Sequence, residues 1–185
     1  DERWATGPLA RLVEDNDPER AEDLYEEAIA AGNVAGAAFD LARLVEDDDP
    51  ERAKSLYGRA IAAGNERDAA YSLARLVEDD DPERAEALYW RAVAAGNEFY
   101  ATNNLANLIC DDDPERAEAL YEEAIAAGNV VDAAYNLALL VEDDDPERAK
   151  ALYGRAIAAG DEFYATNSLA NLICDGDPER AKALY

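Results

Sequence analysis

The residues best able to do chemistry are carboxylates. Asp47-Asp48-Asp49, Asp79-Asp80-Asp81, Asp111-Asp112-Asp113 and Asp143-Asp144-Asp145 offer grouped oxygens of the kind that hard cations such as calcium take from flexible acidic loops. None has the Asp-x-Asp-x-Asp-Gly order of a calcium loop. The last aspartate of each run opens an Asp-Pro-Glu-Arg motif, where its side chain is needed to start a helix, so solvated capping turns are preferred to a cation site and no metal is expected. Acid–base catalysis would need a pocket that raises one carboxyl pKa, and a turn exposed to water provides none. Histidine is absent, which removes Cys₂His₂ zinc sites, Ser-His-Asp triads and Cys-His pairs. No glycine-rich phosphate loop is present. Neither an enzyme nor a cofactor is expected.

Two thiols and a set of amides remain. Cys110 and Cys174 stand 64 residues apart at equivalent places in a repeating chain. In a stack that separation exceeds the roughly 7 Å Cα limit for a disulfide. Two thiols favour a reducing, cytoplasmic compartment. Asparagine lowers helix propensity, so a helical segment carrying Asn103, Asn104 and Asn107 asks for a reason. A side-chain amide has a donor and an acceptor, and a row of them can pair with an extended peptide backbone. The alternative is that these amides are solvated or bonded to neighbouring turns.

The elements that position these groups follow from one period. Asp-Pro-Glu-Arg recurs at 17–20, 49–52, 81–84, 113–116, 145–148 and 177–180, every 32 residues, the mark of one supersecondary unit stacked on copies of itself. Asp81 suits an N-cap, Pro82 the first helical position, Glu83 the positive end of the dipole and Gly96 a left-handed C-terminal cap. Between them Ala85, Leu88, Tyr89, Ala92 and Val93 form one apolar stripe. We term this helix B, and expect the motif arginine to pair with a neighbouring turn. A preceding helix A is predicted over Asp68 to Glu78, with Ala70, Leu73, Ala74, Leu76 and Val77 inward and Asn97 as a candidate cap for the next one. Pro8 sets the first helix to begin nearby, with Thr6 or Gly7 as cap, and Trp4 reads as a packed aromatic on a frayed terminus. A second period of 64 repeats Glu98-Phe99-Tyr100-Ala101-Thr102-Asn103 as Glu162-Phe163-Tyr164-Ala165-Thr166-Asn167.

Short helices joined by short turns pack antiparallel and must stack to bury their second faces. The expectation is an all-α protein: one right-handed α-solenoid of about six antiparallel helix pairs over 1–185, its first and last repeats incomplete. The chain opens without methionine and stops inside a sixth helix B, as a portion of a longer protein would. With 43 acids against 17 bases and a net charge of −26, nucleic acid and anionic membrane are poor partners, and basic or neutral peptides and proteins are better ones. No apolar run is long enough to span a bilayer.

Ala85, Tyr89 and Ala92 in helix B, with Leu73-Ala74 followed by Val77 in helix A, resemble the tetratricopeptide repeat. The Leu-Tyr-x-x-Ala-Ile-Ala-Ala-Gly-Asn ending is closer still to the Sel1-like branch. The unit is 32 residues against about 34, and the consensus helix A tryptophan and final proline are missing. The resemblance implies a right-handed superhelix, helices A lining a groove, and protein–protein interaction. On that template the groove residues are Phe39 and Arg43, Tyr71 and Arg75, Asn103 and Asn107, Tyr135 and Leu139, Asn167 and Asn171. The position before each leucine adds Asp40, Ser72, Asn104, Asn136 and Ser168. Asn103, Asn104, Asn107, Asn136, Asn167 and Asn171 would read a peptide backbone, with Tyr71, Tyr135 and Arg75 giving selectivity. A carboxylate clamp is rejected because its flanking lysines are absent. Trp90 is a contact candidate, and Gly58 and Gly154 would admit the close approach of another chain. Alternative readings are a structural protein that self-associates end to end as filament, ring or sheath, a designed repeat with no natural ligand, and cation storage on the acidic turns.

Overall fold

The computed structural model describes residues 6–174 and 176–184. Trp4 lies outside the described residues. Every element among the described residues is helical, and within each of two units each helix packs on the next. The chain divides into two compact units, Asp1–Asn97 and Glu98–Tyr185. The first holds α1 (Thr6–Val13), α2 (Pro18–Ala30), α3 (Val34–Val45), α4 (Pro50–Ala62), α5 (Glu66–Val77) and α6 (Pro82–Ala94). The second holds α7 (Ala101–Ile109), α8 (Pro114–Ala126), α9 (Val130–Val141), α10 (Pro146–Ala159), α11 (Tyr164–Ile173) and α12 (Pro178–Leu184). Odd-numbered helices are the A helices and even-numbered ones the B helices.

The B helices form where the motif places them. Asp81 Oδ1 accepts from the Arg84 backbone N–H at 3.1 Å, and Asp17, Asp49, Asp113, Asp145 and Asp177 do the same at 3.0–3.1 Å. One first-turn donor is thereby satisfied in each case, an interaction of about 1 kcal/mol. Gly32, Gly64, Gly96, Gly128 and Gly160 close the B helices with φ between 93° and 119°, a backbone region that side-chain-bearing residues avoid. Ala85, Leu88, Tyr89 and Ala92 are buried as the stripe requires, and Val93 is half-buried. Alanine dominates the core because it lets helices approach closely, while one buried tyrosine in each of α2, α4, α6, α8 and α10 fills the remaining volume.

The A helices depart from expectation in three ways. α5 starts at Glu66 and ends at Val77, and Ala69 is buried while Leu76 is only half-buried. α1 already includes Thr6, which puts Pro8 inside the first turn, where a missing N–H removes no helical bond. Asn97 does not cap α7. Its Nδ2 instead donates back to the Arg67 carbonyl at 3.5 Å, as Asn65 does to Ala35 at 3.4 Å and Asn129 to Phe99 at 3.1 Å. These asparagines tie successive helix pairs together inside each unit. α7 and α11 begin three and two residues later than the 32-residue period places them. The aromatic pairs Phe99–Tyr100 and Phe163–Tyr164 sit edge-on at 4.5 Å and 5.2 Å at those shortened starts.

The motif arginine also has a different partner from the one expected. Arg52 Nη1 and Nη2 reach Glu22 at 2.7 Å and Glu26 at 3.0 Å, and Arg148 reaches Glu118 and Glu122 at 2.7 Å each. These carboxylates belong to the preceding B helix, not to a turn. A fork-shaped guanidinium spans two acids one turn apart, which a turn does not present.

Candidate functional site

The tyrosine near the middle of α2, α4, α6, α8 and α10 sets the chemistry above it. Tyr25, Tyr89 and Tyr153 donate their hydroxyls to Glu14, Glu78 and Glu142 at 3.1, 2.5 and 2.6 Å, and Tyr57 donates to Glu46. Each acceptor lies eleven residues earlier, at the end of the A helix in the same pair. In the α7–α8 pair of the second unit the equivalent of that glutamate is Cys110. Tyr121 donates instead to Asn107 Oδ1 at 2.7 Å. Burial pushes the phenols of Tyr25, Tyr57, Tyr121 and Tyr153 well above their usual range. Carboxylate neighbours add to the rise at Tyr25, Tyr57 and Tyr153, and the Cys110 thiol adds to it at Tyr121.

Asn107 is thereby drawn into a chain of amides. Asn136 Nδ2 donates to Asn107 Oδ1 at 3.0 Å and to Asn103 Oδ1 at 3.3 Å, and Asn103 Nδ2 donates to Asn104 Oδ1 at 3.4 Å. Asn103 is 5% exposed, so its amide is held where leaving it without partners would be costly. The chain crosses from α7 to α9. Sequence reasoning aimed all these amides at a ligand, whereas several of their bonding positions join the two helices to each other.

Five expected groove residues meet in the second unit. Asn103, Asn104, Asn107, Tyr135 and Asn136 line one cleft of about 450 Å³. Val131, Asp132, Gly160, Asp161 and Tyr164 complete it. Tyr135 is half-buried, with its ring 5.9 Å from that of the buried Tyr153 and 6.4 Å from that of Tyr164. A second cleft of about 420 Å³ shares Asn107 and Asn136 and adds Cys110, Tyr121 and Leu139. Asn107 and Asn136 therefore stand between two open spaces.

The other expected site residues lie elsewhere. Asn167 is half-buried and Asn171 exposed on α11, outside both clefts. In the first unit Tyr71 is half-buried on α5 with its ring 6.1 Å from that of Tyr89, and Arg75 is exposed on the same helix. Trp90 is 36% exposed and its Nε1 donates to Glu86 at 3.4 Å, so the ring leans along its own helix. A Cβ added at Gly58 or Gly154 would meet nothing within 4 Å. Both cysteines are thiols. Sequence reasoning missed Asp132, Asp161 and Tyr164. Their signal is an aspartate three residues before each tyrosine, Asp132 to Tyr135 and Asp161 to Tyr164.

Solved structures carry the same fold. A protective antigen present in uropathogenic Escherichia coli strains, whose crystal structure displays a Sel1-like repeat fold, matches 98% of this chain with a TM-score of 0.80 at 19% identity. This chain is an α-solenoid of the Sel1-like repeat fold. BtubC (BKLC) from P. vanneervenii shares that helical solenoid less closely, with a TM-score of 0.64 and 23% identity over 98% of this chain and 85% of its own. The chain spans 44% of the length of the antigen. No family model matches the chain, and no curated protein matches it either. At these identities the Sel1-like repeat likeness carries architecture, and the ligand has to be argued from the side chains.

Proposed function

We propose that this Sel1-like repeat solenoid is an interaction scaffold that holds an extended peptide in the cleft of its second unit, with Asn107 and Asn136 reading a peptide group. One observation carries the reading. Asn107 Oδ1 is fixed by Tyr121 and Asn136, and Asn136 Nδ2 by Asn103 and Asn107, while Asn107 Nδ2 and Asn136 Oδ1 have no hydrogen-bond partner among the described residues. One donor and one acceptor are left on amides whose orientation is already locked. A peptide group presents the complementary acceptor and donor, and locking the receptor amides in advance lowers the ordering cost of binding. The net charge of −26 favours basic or neutral chains. Asn167 and Asn171 on α11 are assigned further backbone contacts outside this cleft.

The reading is tested by selecting peptides from a displayed random library on the intact chain and titrating the winners by fluorescence anisotropy. Replacing Asn104 and Asn136 together with alanine is expected to weaken a selected peptide about tenfold or more, as loss of one or two hydrogen bonds would. A circular-dichroism melt of the same variant, still showing a cooperative helical transition, separates lost contacts from a lost fold. Unchanged affinity would discard the amide reading.

A further inference from the structure

The cleft in the second unit holds more than amides. Tyr164 is 64% exposed, an unusual position for a large ring, and it faces Tyr135, which is held from behind by the buried Tyr153. An exposed aromatic ring opposite a fixed one presents a π-face to whatever enters. Two carboxylates accompany the rings. Asp132 lies one turn before Tyr135 on α9, and residues three apart on a helix share a face. Asp161 precedes Tyr164 by the same interval and caps α11, its Oδ1 accepting from the Tyr164 backbone N–H at 2.9 Å. The cleft lining contains no lysine or arginine, and Asp132 has no ion-pair partner among the described residues. Two rings, two carboxylates and no countercharge leave the space complementary to a cation.

Resting on the peptide reading above, we infer that this cleft takes a basic side chain of the bound peptide, arginine ahead of lysine, against the paired rings of Tyr135 and Tyr164 with Asp132 and Asp161 as its anions. Arginine is preferred because its flat guanidinium stacks on aromatic faces and forks toward carboxylates, which a compact ammonium does less well. The amides of Asn107 and Asn136 line the same cleft, so the backbone next to that side chain comes within their reach. Arg148 is turned to Glu118 and Glu122 and Lys150 to Glu147, so neither competes for this place.

The test uses two pentapeptides, acetyl-Ala-Ala-Arg-Ala-Ala-amide and its citrulline twin, the second having nearly the same shape without the charge. Each is titrated into the isotopically labelled chain and followed by heteronuclear NMR at moderate salt. The arginine peptide is expected to saturate shifts at Tyr135, Tyr164 and the Asn107 and Asn136 side-chain amides, and to bind about tenfold more tightly than citrulline, the worth of one partly desolvated cation–π contact. Tyr164→Leu and Asp132→Asn should each lower the arginine peptide toward its twin and leave the twin unchanged. Equal binding of both peptides, lost in Asn136→Ala, overturns the cation site and leaves the peptide reading standing. Saturable arginine-dependent shifts at the rings without any at the asparagines keep the cation site and sink the backbone reading. Non-saturating shifts spread over acidic turns such as Asp79-Asp80-Asp81 overturn both.

Discussion

The first and second units solve the same packing problem with different bonds. In the first, Arg11 on α1 meets Asp40 on α3 through Nε at 2.9 Å and Nη2 at 2.6 Å. In the second, Asn107 on α7 meets Asn136 on α9 at 3.0 Å. Both pairs are 29 residues apart and occupy the same register, two residues after one leucine and one before the next. The ion pair is closed, since a buried carboxylate and a guanidinium satisfy each other and offer little to a third party. The amide pair is open, because each asparagine has two polar ends and only one is used between the helices. The tyrosine beneath changes partner at the same place: Tyr25, Tyr57, Tyr89 and, in the second unit, Tyr153 donate to glutamates, whereas Tyr121, with Cys110 where a glutamate would stand, donates to Asn107. Three exchanges of residue type, Glu14 to Cys110, Arg11 to Asn107 and Asp40 to Asn136 at equivalent places, turn a self-contained seam into one that can recognise.

Alkaline pH should have the largest effect and should act on both units. Burial raises the phenols of Tyr25, Tyr57, Tyr121 and Tyr153 above their ordinary value of 10.0. Below pH 10 the phenol is neutral in folded and unfolded chains alike, and its contribution is fully present. Above pH 10 the unfolded chain releases protons that the folded chain retains, so stability falls as pH rises toward the folded pKa, by about 1.4 kcal/mol per pH unit for each such tyrosine. Urea midpoints at increasing pH, with phenolate absorbance recorded in parallel, check this. Tyr57→Phe and Tyr121→Phe should each make the dependence shallower by one proton. The comparison breaks if only the glutamate-bonded Tyr57 behaves this way, since burial would then not be the leading cause at Tyr121.

Breaking the cross-links themselves should give a smaller and unequal effect. Arg11→Leu strands the Asp40 carboxylate, which is 6% exposed, and is expected to destabilise by about 2–3 kcal/mol. Asn107→Leu removes the acceptor shared by Tyr121 and Asn136 without stranding a charge, for about 1–2 kcal/mol. Leucine is a fair replacement because Leu139 occupies the same place in the next repeat. Adding Asp40→Ala should recover part of the Arg11→Leu loss, and adding Asn136→Ala should recover less of the Asn107→Leu loss because Asn136 also serves Asn103. Equal losses in the two single variants would show that the chemistry of the seam does not matter to stability.

These contrasts mark where the sequence could be read and where it could not. The B helices were legible to the residue because Asp81, Pro82 and Gly96 each act locally, on backbone groups within a turn of themselves. The buried stripe followed from spacing alone. The amide chain was not legible, although its register was. Residues two after one leucine and one before the next were all assigned to a ligand-facing surface, but neighbouring A helices run side by side at about 8–10 Å, close enough for such side chains to meet each other first. Asn97 misled for a related reason: the position suits a cap, but its amide finds the Arg67 carbonyl of the preceding pair. Asp161 and Tyr164 escaped notice because α11 starts two residues later than the period indicates, and that shift brings the capping aspartate and the exposed ring to the cleft.

The smallest expected effect comes from the arginine clamps, which occur in both units and so test whether the contrast is confined to the A helices. Arg52 and Arg148 each grip two glutamates of the preceding B helix, but both side chains are about a third exposed, at 34% and 32%. Solvent competes for such pairs, and two carboxylates per guanidinium still leave one excess negative charge. Arg52→Gln and Arg148→Gln should each lower stability by about 0.5–1 kcal/mol, by the same amount in the two units. Urea unfolding at low and high salt is the check, since screening weakens exposed pairs. The wild-type advantage should shrink as salt rises, while the Arg11–Asp40 difference, resting on a buried carboxylate, should persist. If the Arg148 clamp proved salt-insensitive and the Arg52 clamp did not, the two units would differ in their B helices as well, and the open amide seam would no longer be the feature that sets the second unit apart.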